Sequence, residues 1–449
     1  MNTTDSKQPP TLPKDSPDED PKAWQDWLTQ HDTVTICEEL SHLEPAQRSA
    51  ALLLLPPNRS VAVFEQLDTA HQQEFLKQLG STQVRHLLEQ LDPDDRARLL
   101  EQMPAAVAAQ AIAELSPSEQ RMTTLLLGYP EESAGRIMNP EFVRLAPDMT
   151  IAEAMVQIRQ QGRFAETIYT LPVTDRSGIL LGTAELEDLI LAEPSARVAD
   201  LMDHEVASVH VHDDQETVAR LIQSADLLAV PVVNDDGRLM GMVTIDDAMD
   251  ILQFEASEDL ARAGAAEPLG RPYFSVSVLQ VAGSRIVWLS LLAVAAILTV
   301  NVLSAFEEVL ETVVTLSLFI PLLIGIGGNT GAQSATTVVR AIAINDIRVG
   351  DLHRVLLREV QVGALLGATL AALAFGPVWL FAGQPIAIVV SLTLIAICAL
   401  ASLVGASMPI LARRIGVDPA VVSAPIVTTL VDASGLLVYF LIARAVLPI

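Results

Sequence analysis

The sequence has little of several things that would settle its class at once. Its 449 residues include 2 cysteines, Cys37 and Cys398, too few and too far apart for a disulfide framework or a zinc spacing. It has no basic excess. The 28 Lys+Arg face 55 Asp+Glu, a formal net charge of -27, which leaves no surface able to neutralise phosphates and argues against nucleic-acid binding. Residues 1–22 (MNTTDSKQPPTLPKDSPDEDPK) contain no apolar core. Residues 1–30 therefore read as a disordered acidic leader rather than a signal peptide or anchor. No nucleophile–base pair or metal-hydrolase motif is present, so an enzyme is the reading with least support.

What is present is divided sharply. Residues 1–270 carry 47 Asp+Glu and 19 Lys+Arg, whereas residues 271–449 carry 8 and 9. An acidic, water-soluble half is joined to a nearly uncharged apolar half, and the length suits about three domains.

A membrane-spanning helix needs about 20 mostly apolar residues. Stretches 286–306, 312–339, 360–412 and 419–443 supply them. The third is long enough for two spans, broken at Gly376-Pro377 and at Gly383-Gln384-Pro385, so five transmembrane helices are expected. Arg271 and Arg285 precede the first. Arg340, Arg348, Arg354 and Arg358 lie between the second and third, Arg413 and Arg414 between the fourth and fifth, and Arg444 follows the fifth. The positive-inside rule then places the N-terminus in the cytoplasm and the C-terminus outside, in a multi-pass protein of the cytoplasmic (inner) membrane surrounded by lipid.

Two features of this half are chemical. The second span, PLLIGIGGNTGAQSATTVV (321–339), crowds Gly325, Gly327, Gly328 and Gly331 beside Asn329, Thr330, Gln333 and Ser334. Close helix packing explains the glycines. The four polar side chains favour a broken, pore-lining helix. Asp432 lies near the middle of the fifth span, where an ionised carboxylate costs several kcal/mol without a partner or water. No span core holds a basic residue to pair with it, which leaves a protonated acid or a bound cation. Thr428, one turn earlier, adds a hydroxyl on the same face.

In the acidic half, residues 37–116 repeat every 12 residues. Leu43, Leu55, Leu67, Leu79, Leu91, Met103 and Leu115 are each preceded three residues earlier by Leu40, Leu52, Phe64, Leu76, Leu88, Leu100 or Ile112. Turn signals such as Pro56-Pro57, Asp68-Thr69 and Asp92-Pro93 fall between the units. The pattern fits short stacked helices, an α-helical repeat N-domain over residues 31–133.

Residues 134–253 hold a second duplication at a constant offset of 59: Leu171-Pro172-Val173, Gly178, Gly182 and Asp188 recur as Val230-Pro231-Val232, Gly237, Gly241 and Asp247. Each copy reads strand, helix, strand, tight turn, strand, helix, with VASVHVH (206–212) as one strand. This α/β pair resembles tandem CBS domains, which often bind adenosine nucleotides through Gly-x-x-Ser/Thr-x-x-Asp. The second copy has Gly241, Thr244 and Asp247. The first has Glu185 where the hydroxyl belongs, which counts against a nucleotide without excluding it. His210 and His212 read as structural.

Carboxylates concentrate at the end of the second copy and in an acidic connecting helix assigned to residues 245–270. Among Asp247, Asp250, Glu255, Glu258 and Asp259, the pairs 247/250, 255/258 and 255/259 lie three or four residues apart, where like charges repel with little basic compensation. Hard divalent cations relieve such repulsion through oxygen ligands.

Gly327-Gly328-Asn329-Thr330-Gly331-Ala332-Gln333-Ser334-Ala335-Thr336, Gly416-Val417-Asp418-Pro419-Ala420 and Pro425-Ile426-Val427-Thr428-Thr429-Leu430-Val431-Asp432 resemble the signatures of MgtE magnesium channels. The resemblance runs from about residue 37 to 449 and covers, in order, a helical N-domain, a CBS pair, a connecting (plug) helix and a five-helix pore domain over 271–449. It implies a homodimer that imports Mg2+ along the subunit interface and that intracellular Mg2+ closes. Asp432 would then hold the permeating ion, with Thr428 and the backbone at Gly328 and Asn329 beside it and Asp418 near the cytoplasmic mouth. Asp214, Glu216, Asp226, Asp247, Asp250, Glu255, Glu258 and Asp259 would be regulatory Mg2+ ligands, joined by Asp92 and Asp95 from the helical domain. Two other classes remain open: a proton-coupled transporter using the same aspartate, and a nucleotide sensor without transport.

Overall fold

The computed structural model describes residues 12–13, 15–67, 69–101, 103–269, 276–343, 346–419, 422 and 424–448. Residues 1–11 and 14 of the proposed leader, with Asp68, Arg271 and Ala420, lie outside the described residues. The chain forms two compact units, Met1–Phe254 and Glu255–Ile449.

The first unit opens with short helices. The helical member of each 12-residue pair packs inward: Leu40, Leu52, Phe64, Leu76, Leu88 and Leu100 are buried, and Ile112 packs against them. The partner residue falls just past each helix. Leu55, Leu67, Leu91 and Leu115 are buried there, while Leu43, Leu79 and Met103 lean on the same core. Proline in the first turn starts the helices Pro45–Leu53, Pro57–Gln66 and Pro117–Leu127, since a missing N–H costs nothing at that position.

The structure corrects the leader. Pro21–Gln30 is a helix whose Trp24, Trp27 and Leu28 are buried in the repeat's core. Asp20 caps it by accepting from the Ala23 N–H at 3.1 Å, and the Trp24 indole donates to Asp15 O at 2.8 Å. The acids that read as a solvated tail precede a helix with two large apolar anchors.

The CBS pair follows. In the first copy Thr170–Thr174 pairs antiparallel with Leu180–Glu185. In the second, Ala229–Val233 pairs antiparallel with Leu239–Thr244 and parallel with the short strand Val209–His210. The expected seven-residue strand shrinks to two because the Asp213 carboxylate takes the His210 N–H at 2.7 Å. The opening strand of the first copy is a single bridge, Leu145 to Val173. The hairpin tips join the two copies, with Leu180 N–H bonding Gly237 O and Leu239 N–H bonding Gly178 O. Gly178 and Gly237 sit there at φ of 87° and 73°, which a side chain would strain. The connecting helix is Ile245–Ala263. It ends earlier than expected, with Ala265 in the left-handed region at φ 53°.

In the second unit five helices among the described residues are long and apolar enough to cross a membrane: Val278–Ala305, Val314–Ala343, Leu352–Ala382, Gln384–Arg414 and Ala424–Val446. Two expectations fail. Gly376-Pro377 does not break the third helix; the chain turns only at Gly383, φ 88°. The second span is not broken at its glycines either, since Ile320–Ala343 is one continuous helix. The small residues serve backbone approach instead. A Cβ at Gly327 would lie 2.6 Å from Ile397 Cγ2, one at Gly331 would lie 3.0 Å from Val427 Cγ1, and one at Gly405 would collide with Gly331 O. The buried hydroxyls are satisfied inside the helix or across it, with Thr330 Oγ1 donating to Ile326 O at 2.8 Å and Ser334 Oγ lying 3.0 Å from Ser402 O, so they need no unwinding.

The first helix gives a prediction. Trp24→Ala should lower the urea stability of a fragment spanning residues 12–254 by about 3 kcal/mol, because it empties a buried aromatic site. An unchanged unfolding midpoint would mean that residues 21–30 do not belong to the core.

Candidate cation sites

Two helix N-termini build the acidic site of the first unit. Pro93–Glu101 carries Asp94 and Asp95 in its first turn, and the connecting helix carries Asp246 and Asp247 in its own. Carboxylates favour such positions because unpaired N–H groups and the helix dipole meet them there. Three clusters result, each with one oxygen per residue and those oxygens within 4.8 Å of one another: Glu65, Asp92 and Asp95; Asp94, Asp95 and Asp247; Glu166, Asp246 and Asp247.

Partners within the clusters are few. Arg98 pairs with Asp95. Arg96, fully buried, is turned away to Leu88 O and Thr123 Oγ1, both at 2.9 Å, and to Glu119. Asn139 donates to Asp94 Oδ1 at 3.1 Å and to Glu166 Oε2 at 2.6 Å, and Thr244 Oγ1 donates to Asp247 Oδ2 at 3.1 Å. Burial, reinforced by neighbouring carboxylates, pushes Glu65 up to about 7, Asp247 to about 7 and Glu166 to about 8. Burial and then Asp247 hold Asp94 well above the usual carboxylate range. The donors are all oxygen, negatively charged and free of soft ligands, which fits a hard divalent cation.

The candidate residues are not all gathered here. Asp92, Asp95 and Asp247 are in clusters, and the Asp250 charge is felt at Asp95. Asp214 instead caps the helix Gln215–Ser224, accepting from Thr217 N at 3.1 Å. Glu216 binds Arg220, whose Nε lies 3.1 Å away. Asp226 sits in a turn at φ 53°. None of these three belongs to a cluster among the described residues. In the second unit Glu258 pairs with Arg262, which also donates to Asp418 Oδ2 at 2.7 Å. Glu255 and Asp259 lie in the same helix.

Sequence reasoning missed Glu65, Asp94, Glu166 and Asp246 as site members. Glu65 had one faint signal, its place between Phe64 and Leu67 in the 12-residue repeat. Glu166 had none, being far in sequence from Asp94 and Asp247.

The membrane site centres on Asp432. Its Oδ1 is buried and has no hydrogen-bond partner among the described residues. It faces the second span at Gly328, where an added Cβ would lie 3.3 Å from Thr428 Cγ2 and 3.7 Å from Asp432 Oδ1. Thr428 Oγ1 donates to Pro425 O at 2.9 Å. Asn329 is exposed on the outer side of its helix. The site thus has one carboxylate oxygen with nothing to accept and a glycine backbone beside it.

Comparisons with known proteins agree on a family. Residues 320–442 match the MgtE divalent cation transporter profile, residues 31–132 the MgtE intracellular N domain, and residues 134–195 and 198–253 the CBS domain. The magnesium transporter MgtE of Thermus thermophilus is 43% identical over 74% of each chain, and that of Bacillus subtilis 35% identical over 74% of each. Among solved structures, the cytosolic domain of the Mg2+ channel MgtE in complex with ATP is 34% identical, with a TM-score of 0.50, covering 52% of this chain and 96% of that one. A helical repeat, a CBS pair, five spanning helices and a lone buried carboxylate occur here in one order, and the chain belongs to the MgtE family of divalent cation transporters.

Proposed function

We propose that the chain is a homodimeric channel or transporter that imports Mg2+ across the cytoplasmic membrane, with the N-terminus in the cytoplasm and the C-terminus outside. The unpartnered Asp432 oxygen carries the reading. A carboxylate kept in a spanning bundle without a basic partner is costly unless a cation visits it. Mg2+ sheds water reluctantly and keeps several waters when bound, so one carboxylate and a glycine backbone suit a largely hydrated ion. The second span supports the dimer. Gly325, Asn329, Gln333 and Thr336 are exposed along one helical stripe. Lipid cannot satisfy the Asn329 and Gln333 amides, whereas a second copy enclosing a wet path can.

Intracellular Mg2+ would regulate the route. Cation binding at the clusters stabilises the arrangement in which helical domain and CBS pair stay together, and its loss leaves their acids to repel. Transported and sensed species are then the same ion, which gives negative feedback. Asp214, Glu216, Asp226, Asp250, Glu255, Glu258 and Asp259 would contribute to further regulatory sites through small rearrangements or the second copy, and Asp418 would stand near the cytoplasmic mouth of the ion path. An adenosine nucleotide at the CBS pair draws support from the relative's ATP complex and from Gly241, Thr244 and Asp247. Glu185, held by Thr170 Oγ1 at 3.1 and 3.0 Å, weighs against one in the first copy.

In reconstituted vesicles the wild-type chain should take up Mg2+, and Asp432→Ala should abolish that uptake at equal membrane abundance. Full flux in the variant would remove the pore reading. Neutralising Asp95 and Asp247 together should weaken inhibition by internal Mg2+ while leaving flux at low internal Mg2+ intact. Unchanged inhibition in patch recordings would make these acids a solvated face.

The raised carboxylates set a pH dependence. Between about pH 4.5 and 8 the folded unit binds more protons than the unfolded chain, so its stability is present at low pH and lost as pH rises through 7 to 8. A divalent cation replaces those protons. Mg2+ should therefore raise the melting temperature of residues 12–254 more at pH 8 than at pH 6. Equal shifts at both values in calorimetry would contradict the assignment.

A further inference from the structure

Glu359 lies in the third spanning helix, which begins at Leu352, just before its uncharged run from Val360. Its seven-residue offset puts it about 10 Å along that helix. Its carboxylate reaches a partner on a neighbouring helix. The partner is Ser334 of the second span, whose Oγ lies 2.6 Å from Glu359 Oε2 and 3.0 Å from Ser402 O of the fourth. A hydroxyl has one proton to give. The shorter contact, in the range of charge-assisted bonds, goes to the carboxylate.

The neighbourhood explains why this bond matters. One turn after Glu359, a Cβ on Gly363 would collide with Cys398 O and come within 2.8 Å of Ser402 Oγ. Three helices thus meet backbone to backbone around Ser334. Ser334 lies on the same face of the second span as Gly327 and Gly331, seven and three residues earlier. The adjacent residue Gly328 is the one that looks onto Asp432. Helix rotation is shared by every residue on it, so fixing Ser334 fixes where Gly328 points.

We infer that Glu359 is a positioning residue: it hooks the second span through Ser334 and so sets the distance between the Gly328 backbone and Asp432. It lies behind the second span, on the side of the fourth helix, and does not itself meet the ion. The inference rests on the Mg2+-transport reading above.

Mg2+ flux of the full chain in vesicles, measured across a concentration series, tests it. Glu359→Ala and Ser334→Ala should each raise the half-saturating Mg2+ concentration about tenfold, as expected for losing one charge-assisted bond that shapes the site. The double variant should be no worse than either single. Glu359→Gln, whose amide oxygen still accepts from Ser334 without charge assistance, should bring half-saturation back to within about threefold of wild type, which a general loss of stability would not allow. Wild-type half-saturation in Glu359→Ala would overturn the inference. So would a Glu359→Gln variant as impaired as Glu359→Ala, because the charge itself would then lie on the route. If Glu359→Ala fails to fold, Ser334→Ala decides by the same readout, since it leaves the charge in place. A wild-type chain without Mg2+ flux, or full flux in Asp432→Ala, would instead remove the transport reading.

Discussion

Mutual repulsion of crowded, partly buried carboxylates is the constraint on which the soluble unit depends. Asp94, Asp95, Asp246 and Asp247 come from two helix starts. Each is well placed by itself, because a helix N-terminus welcomes negative charge. Brought together they are not, and Arg98 is the base that pairs inside the clusters. The fold therefore holds a surplus of charge that protons or cations must balance. A structure built only for stability would have turned Arg96 toward these acids, yet Arg96 is committed to Leu88, Leu91, Thr123 and Glu119.

The membrane unit solves the opposite problem. It holds one buried acceptor without a partner among the described residues, the Asp432 oxygen, while the hydroxyls around it satisfy themselves. Hydroxyls bond carbonyls one turn back, as Thr330, Thr428 and Thr393 do. Arg262 ties the connecting helix to Asp418 just ahead of the fifth span, and Glu267 receives the Trp288 indole at 2.9 Å. Two contacts thus fasten the connector to the spans at either end of the second unit.

Much of this was legible in residue order. Periods of 12 and 59 announced the helical repeat and the duplicated α/β fold because each repeat must bury the same positions. Apolar run length announced the five spans, and Asp432 stood out as a charge in one of them. Three things were hidden for physical reasons. Trp24 and Trp27 lay in an acidic, proline-containing context whose average composition masks a short amphipathic helix. The glycines of the second span are ambiguous in sequence, since hinge and close contact ask for the same small residue; only the positions of Ile397, Val427 and Ala401 decide. Glu166 and Glu359 join their partners across distant chain segments, which no local pattern encodes.

The contact between Gly331 and Gly405 has a mechanical consequence. Where two helices meet through backbone alone there is no layer of rotatable side chains to yield, and a seam of that kind is nearly incompressible. Strain reaching the second span passes into the fourth rather than being absorbed between them. Any widening of an ion path along the second span must then arise by moving these helices as one body. The softer surface, on the side of Asn329 and Gln333, is where the volume has to change.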